Sequence, residues 1–450
     1  MAIRKFAGAG IVIAAAVALA GCAPADSPEE SPASVNPPTA KEVEEALSTP
    51  TTLTYWGWDL SAPASVEAFE KLHPAITIDY VNAGVATPEY QKLRTALAAG
   101  SGVPDVVFME GAIISSFAQT DSLLDLTTMG AASLEADFVP AAWGPVALGD
   151  QVLGLPVGAN LVASFYRADL FQAAGITEPP TTWADFAAAA KALKETTGAA
   201  IANIPANDPS MLLNAFFQAG TQPFGWEPGS STVSIHLNSP EMKEVADYWD
   251  DLLQSDYVSS VPGWGDAFYQ AVNADNLATW QAGVWASPVL ADSTTTSGKW
   301  RVSSWPQWNT DENEGAIWAG GIADVVMDAS ENKIAAYEFI KFRATDEAFA
   351  REKAYQFGWD PVLTSMLEDP EWLVKTDPFT GDQEVNRVFA DVLKNVGPVW
   401  HYPPFMEFIY SSFTDTVGTA AVEKTGLSAS LDAWQDIVVN YAEQQGFTVE

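Results

Sequence analysis

Apolar and polar positions alternate and cluster along this chain in a regular order. Leu53-Thr54-Tyr55-Trp56 alternates and predicts a strand that ends at Gly57-Trp58-Asp59. Val66, Phe69 and Leu72 recur at helical spacing until His73-Pro74 stops the run. Ile76 to Val81 predicts a second strand. Tyr90, Leu93 and Leu97 share one face of a helix over Glu89 to Ala99, closed by Gly100 and Gly102. Val106-Val107-Phe108-Met109 is a short unbroken apolar run of the kind shown by a strand buried on both faces. Strand, helix, strand, helix, strand in this order predicts an α/β fold with a parallel sheet flanked by helices. Such sheets bind ligands beyond the carboxyl ends of their strands, so Trp58-Asp59 and Glu110-Gly111 are the first candidates.

Further along, Gly149-Asp150 between apolar residues predicts a hairpin over 146–156, and Leu161 to Tyr166 a strand. Thr182 and Ser239-Pro240 read as helix starts, with Phe186, Ala190 and Leu193 inward in the first helix and Met242, Val245, Trp249 and Leu252 in the second. Asp266 to Gln281 reads as helical. Strands are predicted near 300–305 and over Ile322 to Met327, then a helix with Tyr337, Phe339 and Ile340 inward. From Glu347 onward the pattern is mainly helical, broken at Gly358-Trp359-Asp360-Pro361 and over 399–404.

The first residues follow a different logic. Arg4 and Lys5 precede an apolar core, Ile11 to Ala18, too short to span a bilayer, which predicts a signal peptide over 1–21. Leu19-Ala20-Gly21-Cys22 resembles the lipobox of bacterial lipoproteins, which implies lipidation of Cys22 and anchoring to a membrane through lipid alone. Cys22 is the sequence's single cysteine, so no intramolecular disulfide is available. Residues 22–49 are rich in Pro, Ser, Ala and Glu without periodicity and read as a disordered tether. No later apolar run is long enough for a transmembrane helix.

Charge narrows the partners. Asp and Glu number 58 against 21 Lys and Arg, a net charge of −37. Such a surface repels nucleic acid and anionic lipid, so neither is an expected partner. The length suits two domains of ordinary size. Seventeen tryptophans are many for one soluble chain.

Several stretches together resemble the family 1, carbohydrate-binding, extracellular solute-binding proteins of ABC importers. They are Ala96 to Gly100 leading to Pro104-Asp105-Val106-Val107, Gly154-Leu155-Pro156, Tyr166-Arg167-Ala168-Asp169-Leu170-Phe171 with Ala173-Ala174-Gly175, Pro180-Thr181-Thr182-Trp183, Trp280-Gln281-Ala282-Gly283, Gly320-Gly321, and the Ala336 to Phe342 helix. The resemblance implies a two-lobed periplasmic-binding-protein-like fold, each lobe a mostly parallel sheet with helices, enclosing its ligand in a cleft at a hinge. It places one lobe at 50–155 plus 285–345 and the other at 156–284 plus 346–450. It further implies a monomer that hands a sugar to a membrane permease, with no cofactor, metal or catalysis.

A neutral sugar offers apolar C–H faces and a belt of hydroxyls, so its site needs flat aromatic surfaces beside carboxylates or amides. Trp58 adjoins Asp59, Trp264 lies two residues from Asp266, and Trp359 adjoins Asp360. Glu110 and Trp318 stand at predicted strand ends, and Gly320-Gly321 would let a ligand approach the backbone. Asn160 and Tyr166 lie near the expected crossing between lobes. Each has a plainer reading: Asp59, Asp266 and Asp360 as helix caps, Gly320-Gly321 as a turn. Trp183, Trp249, Trp285 and Trp434 sit in apolar patterns and are expected in the core. Two other functions use the same residue types: an exported glycoside hydrolase, whose carboxylate pair need not be near in sequence, and a binder of a cation such as a polyamine. Against the first stand the absence of a Gly-x-Ser-x-Gly or His-Glu-x-x-His motif and the scatter of His73, His236 and His401.

Overall fold

The computed structural model describes residues 36–308, 320–358, 361–394, 396 and 401–450. It opens with a helix, Ala40–Ser48 (α1), where a tether was expected; Thr39 and Glu42 form a reciprocal capping box at its start. Strands Thr51–Trp56 (β1), Ile76–Val81 (β2) and Val106–Glu110 (β3) follow, alternating with helices Ala62–Leu72 (α2) and Thr87–Ala99 (α3). β1 pairs parallel with both β2 and β3, and β3 is buried along its whole length, as its apolar run requires. Gly100, with φ 63°, closes α3 in the left-handed conformation that glycine adopts without strain. Gly111–Ala118 (α4) leaves directly from the end of β3.

Leu155–Gly158 (β4) ends this first stretch, and the chain crosses to a second body. There Ala163–Arg167 (β5) lies between Thr279–Ala282 (β8) and Trp300–Ser303 (β9), antiparallel to both. Ala202–Asn203 (β6) pairs parallel with Val258–Ser259 (β7). The chain then returns: Ile322–Val326 (β10) inserts between β3 and β4, antiparallel to each, completing the order β2-β1-β3-β10-β4.

This is the two-lobed α/β architecture expected, with three corrections. The second body's sheet around β5 is antiparallel rather than mostly parallel. β9, expected with the first lobe, belongs to the second, because its alternating buried residues Trp300 and Val302 face the core beside β5. The expected long helix over 266–281 stops early, at Asp266–Asn273, and Trp280 lies in β8 instead.

Trp183, Trp249 and Trp434 are core residues, each 1% exposed or less, and Trp183 and Trp249 pack edge to face at 5.2 Å. A buried ionic cluster ties the first sheet to the helix after β10, Lys333–Thr345. Arg343, fully buried, donates to Asp59 and Asp324 at 2.6 Å each and to the Ser65 hydroxyl at 2.5 Å. Tyr55 donates to the other oxygen of Asp324 at 3.1 Å. No helix among the described residues is long and apolar enough to cross a membrane.

Candidate ligand site

At the carboxyl ends of β1 and β3 the sheet presents Trp58 and Glu110. The Trp58 ring stands edge to face on Phe108 at 5.1 Å and on Tyr90 at 6.0 Å. The Tyr90 hydroxyl receives the Glu110 backbone N–H at 3.0 Å and lies 3.2 Å from the same residue's Oε2. Glu110 is only 8% exposed. Burial first, then the nearby charge of Asp208, push its carboxyl up to about 8, against the Tyr90 hydrogen bond. Asp208 belongs to the second body, and its charge reaches Glu110. Tyr402 and Tyr410 share this region: burial raises both hydroxyls, and the charge of Glu110 adds to each.

Gly320 and Gly321 sit at the start of β10, with φ 71° and 77°. The Gly111 N–H donates to the Gly321 carbonyl at 3.0 Å. A side chain at Gly320 would place its Cβ 2.7 Å from the Tyr402 ring and 2.9 Å from the Ala112 amide nitrogen. The room left by the missing side chain is therefore taken by Tyr402, which corrects the expectation that it admits a ligand.

The second body contributes an aromatic wall. Trp264 is 41% exposed, and its ring lies 4.9 Å from Trp285 and 5.6 Å from Trp280. Trp280 packs in turn on Trp285 at 5.3 Å and on Phe268 at 4.9 Å. A narrow recess beside this wall is lined by Asn203, Pro205, Met211, Trp264, Phe268 and Trp280 among others. Trp285, expected in the core, is half-buried at the wall.

The segment carrying Trp264 is held by side chains imitating a strand. The pairing of β6 with β7 ends at Asn203 and Ser259. Beyond it, the Asn203 amide accepts the Val261 N–H at 2.8 Å and donates to the Val261 carbonyl at 3.0 Å. Asn207 repeats this two residues on, accepting the Gly263 N–H at 2.7 Å and donating to its carbonyl at 3.4 Å. Asp208 then accepts the Trp264 indole N–H at 2.9 Å and the Ser210 backbone N–H at 2.9 Å. Trp264 itself has φ 61°, a left-handed backbone uncommon for a bulky residue.

Of the residues expected from sequence, Trp58, Glu110 and Gly320-Gly321 gather on the first sheet, and Trp264 lies in the second body, bonded to Asp208, whose charge reaches Glu110. Asn160, buried with φ 53°, lies at the crossing between β4 and β5, and its Oδ1 has no hydrogen-bond partner among the described residues. Asp59 is not available to a ligand. It is 2% exposed and saturated by Arg343 and by the Ser61 N–H and hydroxyl. Burial works to raise its carboxyl, but Arg343, Lys353 and the Ser61 hydrogen bond together outweigh this and hold it below the usual range. Tyr166 packs on Phe171 at 5.1 Å beside Arg301 of β9, away from the cluster. Asp266 is an exposed acid in the first turn of Asp266–Asn273, where it complements the helix dipole. Cys22, Trp318, Trp359 and Asp360 lie outside the described residues. Asn203, Asn207, Asp208, Trp280, Tyr402 and Tyr410 are additions; the tryptophan in Trp280-Gln281-Ala282-Gly283 was the one signal that pointed their way.

Aromatic faces beside amides, tyrosines and carboxylates suit a polyhydroxylated ligand with apolar faces. Among the described residues no three His, Cys, Asp or Glu side chains converge as metal ligands would.

Comparison with known proteins agrees with this chemistry. The family described as bacterial extracellular solute-binding protein matches residues 59–348, more than half of the chain. The lactose-binding protein of Rhizobium radiobacter is 26% identical over 405 residues, 85% of this chain and 91% of that protein. The arabinooligosaccharide-binding protein of Bacillus subtilis (strain 168) is 24% identical over 329 residues, 70% of this chain and 74% of that protein. A solved structure, the ABC transporter associated binding protein from B. animalis subsp. lactis Bl-04 in complex with β-1,6-galactobiose, aligns with a TM-score of 0.81 and 28% identity. That alignment covers 89% of this chain and 99% of the other.

Proposed function

Because the chain belongs to the bacterial extracellular solute-binding proteins, we propose that it captures a mono- or oligosaccharide between its lobes and delivers it, unaltered, to the permease of an ABC importer. The observation that carries the choice of ligand is the Trp264-Trp280-Trp285 wall, whose Trp264 ring is exposed, set in the body opposite Trp58 and Glu110. Aromatic rings stack on the C–H faces of a pyranose, while Glu110 and the tyrosines exchange hydrogen bonds with its hydroxyls. In this reading the lobes are 51–158 with 322–367, where Lys353 reaches the Val157 carbonyl and Val139 and Phe138 pair with Val362 and Leu363, and 159–308 with 372–450. They close about the crossings near Asn160 and before β10, and the ligand favours the closed state because only there does it touch both lobes.

As an extracellular solute-binding protein the chain works outside the cytoplasm. We assign its retention there to a lipid on Cys22, and the protein acts as a monomer on a tether shortened by α1. The experiment is calorimetry of the purified mature chain against lactose, β-1,6-galactobiose, arabinotriose and maltotriose, with chromatography of each mixture. One-to-one binding without product supports the reading. Turnover, or no heat with any saccharide, overturns it. Radiolabelled palmitate incorporation lost in Cys22→Ser tests the anchor.

A further inference from the structure

We infer that Asn207, with Asp208, is a positioning residue of the ligand site, holding Trp264 where a saccharide meets it. This rests on the reading of Trp264 as a platform. Three restraints converge on this one residue. Asn207 pairs with both backbone groups of Gly263, as a neighbouring strand would, and so fixes the peptide just before Trp264. The Asp208 carboxylate takes the indole N–H and fixes the ring's rotation, itself kept still by the Ser210 N–H. Trp285 and Trp280 back the ring.

The backbone shows why such restraint is needed. A φ of 61° at a tryptophan is a strained conformation that persists only where surrounding bonds over-determine it. Asn207 is exposed, so its side chain adds little to the core, yet its amide extends the β6–β7 ladder two steps past the last true pairing. Release of that amide lets Gly263 and Trp264 relax toward ordinary backbone angles and carries the ring off the wall. Apparent affinity then falls with the fraction of molecules whose ring is in place.

The test is a double-mutant cycle of Asn207→Ala and Trp264→Ala, with Kd measured by calorimetry for whichever of lactose, β-1,6-galactobiose, arabinotriose and maltotriose the wild type binds. Amide hydrogen exchange of the ligand-free chain is read alongside. The expected result is about a tenfold weaker Kd for Asn207→Ala at unchanged melting temperature, from the population of relaxed backbone. Exchange at Gly263 and Trp264 rises, and Asn207→Asp, which keeps the oxygen for the Gly263 N–H, recovers part of the affinity. In the Trp264→Ala background the same substitution changes Kd less than about twofold. Faster exchange with unchanged Kd, or a loss that simply adds to that of Trp264→Ala, overturns the inference while leaving the proposed function intact. Unchanged affinity in Trp264→Ala removes the platform and the inference together, and a wild type that binds no saccharide removes the proposed function as well.

Discussion

Arg343→Met breaks the buried ionic cluster that lies away from the ligand site. It removes a guanidinium with no solvent exposure whose bonds reach Asp59, Asp324 and Ser65. Two carboxylates, 2% and 0% exposed, then lose the guanidinium that bonds both, keeping as positive charge only the longer-range pull of Lys353. Methionine fills much of the volume, so the loss is electrostatic rather than a cavity. Breaking a buried pair by removing one partner costs about 3–5 kcal/mol, a large share of the roughly 5–15 kcal/mol by which a folded chain exceeds its unfolded state. The pH dependence carries a sign. In the wild type, burial works to raise both carboxyls; Arg343 with Lys353 and Ser61 outweighs it at Asp59, which sits below its ordinary value, whereas Asp324 stays above its own. Without the cation both rise. The variant's deficit is therefore largest at neutral and alkaline pH and shrinks as pH falls and a proton replaces the lost charge. Guanidinium denaturation at pH 8 and pH 5 reads this directly, with Asp59→Asn, Asp324→Asn and Arg343→Met combined as a neutral control that recovers most of the loss. A deficit under about 1 kcal/mol at pH 8, or one equal at both pH values, refutes the reasoning.

Glu89 is buried, both its oxygens lack hydrogen-bond partners among the described residues, and burial lifts its carboxyl to about 8 against the pull of Lys92. The stability its neutral form contributes is fully present below about 4.5 and is lost as pH rises through about 8. Glu89→Gln should therefore raise the melting temperature at pH 8 and flatten its decline from pH 5; an unchanged slope contradicts this. Gly320→Ala drives a methyl into the Tyr402 ring at a φ of 71° and should cost about 1–3 kcal/mol in chemical denaturation, whereas wild-type stability would show that Tyr402 yields freely. Asp208→Asn removes the charge that helps raise Glu110, so the Glu110 carboxyl resonance, followed by carbon-13 NMR, should titrate below about 8; no downward shift would separate the two residues.

What the chain discloses in its own order, and what it withholds, follows from the range of each interaction. The parallel β1, β2 and β3 were legible because alternation and spacing are local, and with them came Trp58 and Glu110 at strand ends. Asp59 looked identical in kind to Glu110. Its partner Arg343 is 284 residues away, and no local pattern announces that meeting. Asn203 and Asn207 were silent for a related reason: they bind backbone groups of a segment 56 to 58 residues later, and backbone has no sequence signature. Asp266 follows the plainer rule that acids favour first turns of helices. Trp280 read as helix because a four-residue strand at the end of an expected helix cannot be told from periodicity over so few residues, and Trp285 read as core because it stands among apolar neighbours.

The insertion of β10 between β3 and β4 bears on how the chain is made. Until residue 326 has left the ribosome, the strand that joins β3 to β4 is missing, so the first sheet cannot be completed however early its other residues emerge. Closing a sheet with a strand so distant in sequence is slow. The first lobe of this extracytoplasmic chain therefore stays incomplete until almost three-quarters of the polypeptide has been synthesised.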